Sequence, residues 1–207
     1  MDQTLASPLP LAGGAGGGPV AADSPTPNPS RKREGDKATL NLFGYWGVGT
    51  LALSECGPVT HVDASKKSVA QARENAALSG MEDRPIRWLV DDAAKFTARE
   101  VRREKRYDGI ILDPPKFGRG PDGEVWRLEE GLPGLVADCR KLLDGDSRFL
   151  FLTVYAVRMS SLALAGLLAE HFAGLPGTIE HGDLAVREER EGGRLLPTAI
   201  FARWSRP

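Results

Sequence analysis

No apolar run in this chain approaches the ~20 residues that a bilayer-spanning helix requires, so no segment reads as a membrane span. Cysteine is scarce. Cys56 and Cys139 are the only two in 207 residues, they lie far apart, and their spacing matches no metal-ligand pattern. A disulfide framework is thereby excluded, and a cytosolic, disulfide-free protein is expected. Net charge is also nearly absent, at −1. No overall positive field draws in nucleic acid, and any such contact must come from a local patch. The N-terminus lacks the positive start of a secretory signal: Asp2 stands there, and the glycines from Gly13 to Gly18 interrupt any apolar segment. Acidic Asp23, Glu34 and Asp36 argue equally against an organellar transit peptide.

Apolar residues make up 41% of the sequence and charged residues 27%, the balance of a soluble globular chain with a core. Residues 1–37 are rich in Gly, Pro, Ala and Ser and carry no hydrophobic period. Burial there would not offset the entropy of ordering, so a disordered tail is expected over 1–37 and a folded domain over 38–207. The charge run "RKRE" (31–34) reads as solvated.

From Ala38 onward strand and helix patterns alternate. "ATLNLF", "VTHVDA", "IRWLVDD", "YDGIILDPP" and "RFLFLTVYA" read as strands. Helices are expected at "GTLALSEC", at "SKKSVAQARENAALSG" with Ser65 as N-cap and Gly80 closing it, at "AAKFTAREVRREK", across residues 125–143 with a break at Pro133, and at "SLALAGLLAEHF". "TIEHGDLAVREE" and "LPTAIFARW" read as a closing antiparallel hairpin. Repeated strand–helix units imply an α/β fold with a doubly wound, mostly parallel sheet and a C-terminal antiparallel hairpin. In such sheets ligands sit at the carboxyl ends of the strands.

The residues just after each strand are therefore the ones to read. After the first comes "GYWGVG", with Gly44, Gly47 and Gly49. Bare backbone there lets a ligand approach the main chain, although packing can require the same glycines. After the second comes Asp63, about nineteen positions past Gly44, a spacing at which a carboxylate accepts from both ribose hydroxyls of an adenosine-type ligand. Turn and acid together do not separate a dinucleotide from S-adenosylmethionine. After the third come Asp91 and Asp92. One is expected to accept from an adenine amino group and the other to cap the next helix, with Asp92 favoured for adenine. After the fourth comes "DPPKFG". Pro114 and Pro115 stiffen the loop and leave carbonyls free to accept. Asp113 and a proline carbonyl suit an amino group, and Phe117 a flat ring.

The ordered set "NLFGYWGVG", "HVDASKK", "VDDAAKF" and "ILDPPKFGRG" resembles class I S-adenosylmethionine-dependent methyltransferases with a Rossmann-like sheet. Within that class the motifs resemble the large-subunit ribosomal RNA methyltransferases that carry D-P-P-K-F loops. The resemblance covers residues from about 38 to 205. It implies S-adenosylmethionine as cofactor and ribosomal RNA as the family-based substrate, with a protein or a small metabolite left open as the methyl acceptor. Gly44, Gly47 and Gly49 match the cofactor turn, Asp63 the ribose acid and Asp92 the adenine contact, with Phe43, Ala64 and Ala93 beside them. Asp113, Pro114, Pro115 and Phe117 match the catalytic loop, and Lys116, Arg119 and Tyr155 are the substrate-side candidates. For Tyr155, core packing is an equal alternative.

The sequence departs from that family at three points. One arm of the family methylates a ring carbon through a cysteine thiolate. Neither the D-P-P loop nor "TVYAVRMSS" holds a cysteine, and both thiols fall in predicted helices, so nitrogen or oxygen is the expected target. Trp46 stands where relatives carry a small polar residue and either shields the cofactor pocket or fills part of it. Relatives also have an ordered segment before the first strand, where this chain has its Gly/Pro-rich stretch. A degraded, non-catalytic cofactor-binding module is thus an alternative reading. So is a nicotinamide-dependent oxidoreductase, which leaves "DPPKF" without a use. "TAREVRREKR" (97–106) reads as a solvated helix rather than an RNA groove. His61 reads as structural, and neither His171 nor His181 is placed as a base.

Overall fold

The computed structural model describes residues 37–206. The tail expected over 1–37 lies outside the described residues, apart from Lys37. Five helices and nine strands alternate along the described chain: β1 (Thr39–Leu42), α1 (Val48–Ser54), β2 (Val59–Asp63), α2 (Lys66–Leu78), β3 (Ile86–Val90), α3 (Ala93–Arg102), β4 (Gly109–Leu112), β5 (Phe117–Arg119), β6 (Val125–Arg127), α4 (Leu128–Lys141), β7 (Phe149–Val154), α5 (Ser161–Phe172), β8 (Thr178–Arg187) and β9 (Leu195–Ser205).

Seven strands form one sheet in the order β3-β2-β1-β4-β7-β9-β8, and β5 pairs with β6 apart from it. β1, β2, β3, β4 and β7 are parallel, while β9 runs antiparallel to both of its neighbours. The expected C-terminal hairpin is present, but β9 inserts between β7 and β8 rather than taking the sheet edge. The loop joining the hairpin strands covers residues 188–194 and turns at Gly192 with φ +67°. Right-handed crossovers put α1 and α2 on one face of the sheet and α3, α4 and α5 on the other.

Local signals explain where the helices begin and end. Ser65 caps α2 by accepting from the Ser68 N–H at 3.1 Å. At the other end Gly80 takes φ +64°, with Gly80 N–H donating to the Ala77 carbonyl and Met81 N–H to Ala76. That pair of bonds is the left-handed glycine stop that satisfies the last carbonyls of a helix. Ser160 caps α5 by accepting from the Leu162 N–H.

Helix α4 differs from expectation twice. It begins at Leu128, because residues 125–127 are drawn into a hairpin, and it continues through Pro133. Its buried positions Leu128, Leu132, Leu135, Val136 and Cys139 recur at helical spacing. Burying that stripe outweighs the hydrogen bond that Pro133 removes. Cys139 is fully buried, and desolvation pushes its thiol far above the usual range. Cys56 lies exposed just beyond α1, not within the helix expected to contain it.

The core is built from the middle of the sheet: Leu40, Leu42, Ile110, Leu112, Leu150 and Leu152 are fully buried. Replacing Leu150 with Ala is expected to cost about 2–5 kcal/mol of unfolding free energy by urea denaturation. A loss below about 1 kcal/mol would show that β7 is not clamped between β4 and β9.

Candidate functional site

Strand order reverses at β1, which has β2 on one side and β4 on the other. The segments leaving β1, β2, β3 and β4 therefore meet at one edge of the sheet. They are laced there by backbone: Gly44 N–H donates to the Val62 carbonyl at 3.1 Å, and Asp91 N–H to the Asp63 carbonyl at 3.0 Å.

The turn after β1 is contorted. Phe43 and Tyr45 adopt φ +57° and +46°, and Gly47, the N-cap of α1, adopts +84°. Non-glycine residues rarely take these values, which concentrate at sites where the surroundings enforce them. Two of the three glycines are required by the protein itself. A Cβ on Gly44 would lie 2.4 Å from the His61 ring, and one on Gly47 would lie 2.9 Å from the Ala72 Cβ. At Gly49 an added Cβ would meet only the Asn41 amide nitrogen, at an ordinary 3.5 Å. The glycine spacing thus reports helix–sheet packing as well as any approach of a ligand.

Beneath the turn lies a buried polar chain. The Asn41 Nδ2 donates to Thr50 Oγ1 at 2.8 Å, and Thr50 Oγ1 lies 2.8 Å from His61 Nδ1. His61 is wholly buried against Trp88, and desolvation lowers its pKa to about 4. It is neutral at pH 7 and structural, as expected from the sequence.

Asp63, half-buried at the end of β2, accepts two backbone bonds. Tyr45 N–H donates to Oδ2 at 2.9 Å and Ser65 N–H to Oδ1 at 2.8 Å. The carboxylate fastens the glycine turn to β2 and keeps lone pairs for further donors. Ala64 follows it, half-buried. At the end of β3 the capping role falls to Asp92, which accepts from the Lys95 N–H at 2.9 Å. Asp91 instead pairs with Arg99 on α3. The expected division, with Asp92 facing adenine and its neighbour capping, is therefore not the one observed for the cap. Ala93 is buried in the first turn of α3.

Asp113 leaves β4 into the loop Pro114–Pro115–Lys116. It is open to solvent on one side, yet enough protein surrounds it that desolvation raises its carboxyl above the usual range. The Thr153 hydroxyl opposes that shift by donating to Oδ1. The two proline carbonyls are not equally free. Trp126 donates its indole N–H to the Pro115 carbonyl at 2.7 Å, whereas the Pro114 carbonyl accepts no hydrogen bond among the described residues. Trp126 belongs to β6, paired with β5 at Phe117–Arg127, Gly118–Trp126 and Arg119–Val125. Its ring also packs on Phe43, with centroids 5.2 Å apart. One indole thus braces the D-P-P loop against the turn after β1. Glu124, in the same hairpin, pairs with Lys95 on α3.

The register sends Trp126 inward and Phe117, Arg119, Val125 and Arg127 outward, with Phe117 54% exposed. Lys116 and Arg119 are exposed as well. Tyr155 is 45% exposed just past β7, so it is not a core residue. Trp46 is also exposed and stacks flat on Tyr45 at 5.0 Å. Sequence reading missed Trp126 and Thr153. The "GPDG" turn between "FGR" and "VWR" is a local hint of a hairpin, outweighed in the sequence by the helical pattern that follows. Nothing local marked Thr153.

Two surface depressions lie elsewhere. One of about 430 Å³ runs between α1 and α2, and one of about 260 Å³ between α4 and α5. Neither is lined by Asp63, Asp92 or Asp113.

This sheet order, with acids at the carboxyl edge, is the fold of the class I S-adenosylmethionine-dependent methyltransferases. The chain superposes on the SAM-dependent methyltransferase of Agrobacterium tumefaciens with a TM-score of 0.80 and 44% identity, over 84% of this chain and 57% of that one. It resembles in sequence the ribosomal RNA large subunit methyltransferase I of Klebsiella pneumoniae, at 32% identity over 90 residues, 42% of this chain and 22% of the relative. The magnesium protoporphyrin IX methyltransferase of Synechocystis, solved with bound SAM, shares the fold at TM-score 0.58 and 15% identity, over 83% of this chain and 71% of that one. No family model matches the chain. The chain spans only part of its relatives, 57% of the Agrobacterium protein and less of the Klebsiella one.

The buried histidine beneath the turn makes stability depend on pH. Unfolded His61 takes up a proton below about 6.5, whereas the folded residue resists protonation until about 4. Its contribution to stability is therefore lost as pH falls through that window, by about 2 kcal/mol between pH 7 and 4.5. Denaturant titrations at the two pH values should show a smaller acid loss for His61→Asn than for the parent chain. Equal losses would place the acid sensitivity elsewhere.

Proposed function

We propose that this chain transfers a methyl group from S-adenosylmethionine to a nucleophilic nitrogen, with a base of RNA as the acceptor. The observation that carries the reading is the position of Asp63 and Asp113, at the carboxyl ends of the two strands that flank β1, with the glycine turn between them. The likeness to the Agrobacterium and Klebsiella methyltransferases supports it. No helix among the described residues is long and apolar enough to cross a membrane.

In this reading the glycine turn receives the methionine end of the cofactor. Asp63 meets the ribose hydroxyls with the lone pairs that its backbone bonds leave. Asp92 and Ala93 border the adenine. The bound sulfonium supplies a methyl group whose S–C bond breaks with its electron pair passing to sulfur. Asp113 and the Pro114 carbonyl accept hydrogen bonds from an acceptor amino group and so hold its lone pair in line. The nitrogen forms the new N–C bond and releases a proton to solvent. Phe117 stacks on the acceptor ring, and Lys116, Arg119 and Tyr155 border the strand that carries it.

Transfer of tritiated methyl to total RNA and to protein extract from a strain lacking the chain tests the proposal. Label in RNA is the expected result, and cofactor binding without label in either pool would mark a non-catalytic module. Asp113→Ala should largely abolish transfer while leaving cofactor affinity near that of the parent. Normal turnover in that variant would refute the role given to Asp113. Asp63→Ala should mainly weaken cofactor binding, and unchanged affinity by calorimetry would remove Asp63 from the cofactor site.

A further inference from the structure

β7 runs on past the end of its parallel neighbour. The two strands pair from Gly109–Phe149 to Leu112–Leu152. There β4 gives way to Asp113, while β7 continues, held from its other side by β9 at Thr153–Phe201 and Val154–Ile200. Thr153 is therefore a residue of the rigid sheet standing beside a residue of the loop. Its Oγ1 lies 2.5 Å from Asp113 Oδ1 and 3.5 Å from the Leu112 carbonyl oxygen. A hydroxyl has one proton to donate. Given to the nearer carboxylate, it makes the shorter and stronger bond.

The last torsion of an aspartate is broad, so a carboxylate at an open strand end would turn between orientations. Threonine is stiff at χ1, and Thr153 is only 9% exposed. A donor fixed in this way holds the carboxylate plane, occupies Oδ1 and leaves Oδ2 for an incoming donor. It also favours the charged form. Burial raises the Asp113 carboxyl and the Thr153 bond lowers it, and no charged side chain is among the causes.

We propose that Thr153 is a positioning residue: it holds Asp113 by Oδ1 so that Oδ2 meets the donor hydrogen of the methyl acceptor. The proposal rests on the reading of Asp113 as the group that orients the nucleophile.

The full chain and its Thr153→Val and Thr153→Ser variants test this by two measurements. Valine keeps the branched shape without the hydroxyl, and serine keeps the hydroxyl. In the first measurement, the Asp113 carboxyl is titrated by ¹³C NMR. Losing a bond that favours the charged form should move the midpoint upward in Thr153→Val, while Thr153→Ser stays near the parent. In the second, tritiated methyl transfer to total RNA should show kcat lowered about ten- to a hundredfold in Thr153→Val. The KM for S-adenosylmethionine should stay within about twofold, and Thr153→Ser should recover most of the rate. Identical titrations of parent and Thr153→Val overturn the proposal, whatever the activity. So does a shifted titration with full kcat, or a Thr153→Ser variant as impaired as Thr153→Val. A parent chain that moves no methyl group while the titration still shifts overturns the proposed function and the catalytic part of this inference with it, and leaves the Thr153–Asp113 bond standing.

Discussion

The change of strand order at β1 constrains everything that can happen at this molecule's surface. With β2 on one side of β1 and β4 on the other, the connecting helices leave for opposite faces of the sheet. No crossover covers the carboxyl end of β1, and the turns that follow β1, β2, β3 and β4 converge there. Every carboxylate of the candidate site owes its position to that topology. Asp63 closes β2, Asp92 opens α3, and Asp113 leaves β4. Loops could be exchanged and the gathering would persist, whereas a different strand order would scatter the same acids.

Within that frame the site is held by cross-braces more than by burial. Asp63 accepts from the main chain of the glycine turn, and Trp126 reaches from the β5–β6 hairpin to the Pro115 carbonyl while packing on Phe43. Thr153 grips Asp113 from β7. Each brace joins the glycine turn, or the loop after β4, to a different element of the fold. The polar groups along this rim therefore keep fixed directions. This is the arrangement that the proposed methyl transfer, carried by positioning and electrostatics, would require.

Much of this was legible along the chain. The strand–helix alternation, the cap at Ser65, the glycine stop at Gly80 and the short apolar strands are local signals, and they mark the same elements in the structure. Residues 125–127 were not legible as a strand, because an apolar "VWR" ahead of a strong helical pattern reads as part of the helix. Only its pairing with residues 117–119 makes it a hairpin. Pro133 misled for the opposite reason: a local breaker was overruled by the buried stripe of α4. The glycines of the turn looked like a ligand cradle, yet Gly44 and Gly47 are also demanded by His61 and Ala72, which lie far along the sequence.

The amino-acid order by itself determined the α/β class, the parallel sheet with its closing hairpin, and the strand ends where Asp63, Asp92 and Asp113 stand. All of these follow from short-range periodicity and turn chemistry. The tertiary structure alone decided that β9 inserts between β7 and β8, that Asp92 rather than Asp91 caps α3, and that Trp126 and Thr153 hold the loop after β4. Those outcomes depend on contacts between residues remote in sequence, and neither propensity nor spacing records which distant side chain will arrive to donate a hydrogen bond or fill a gap.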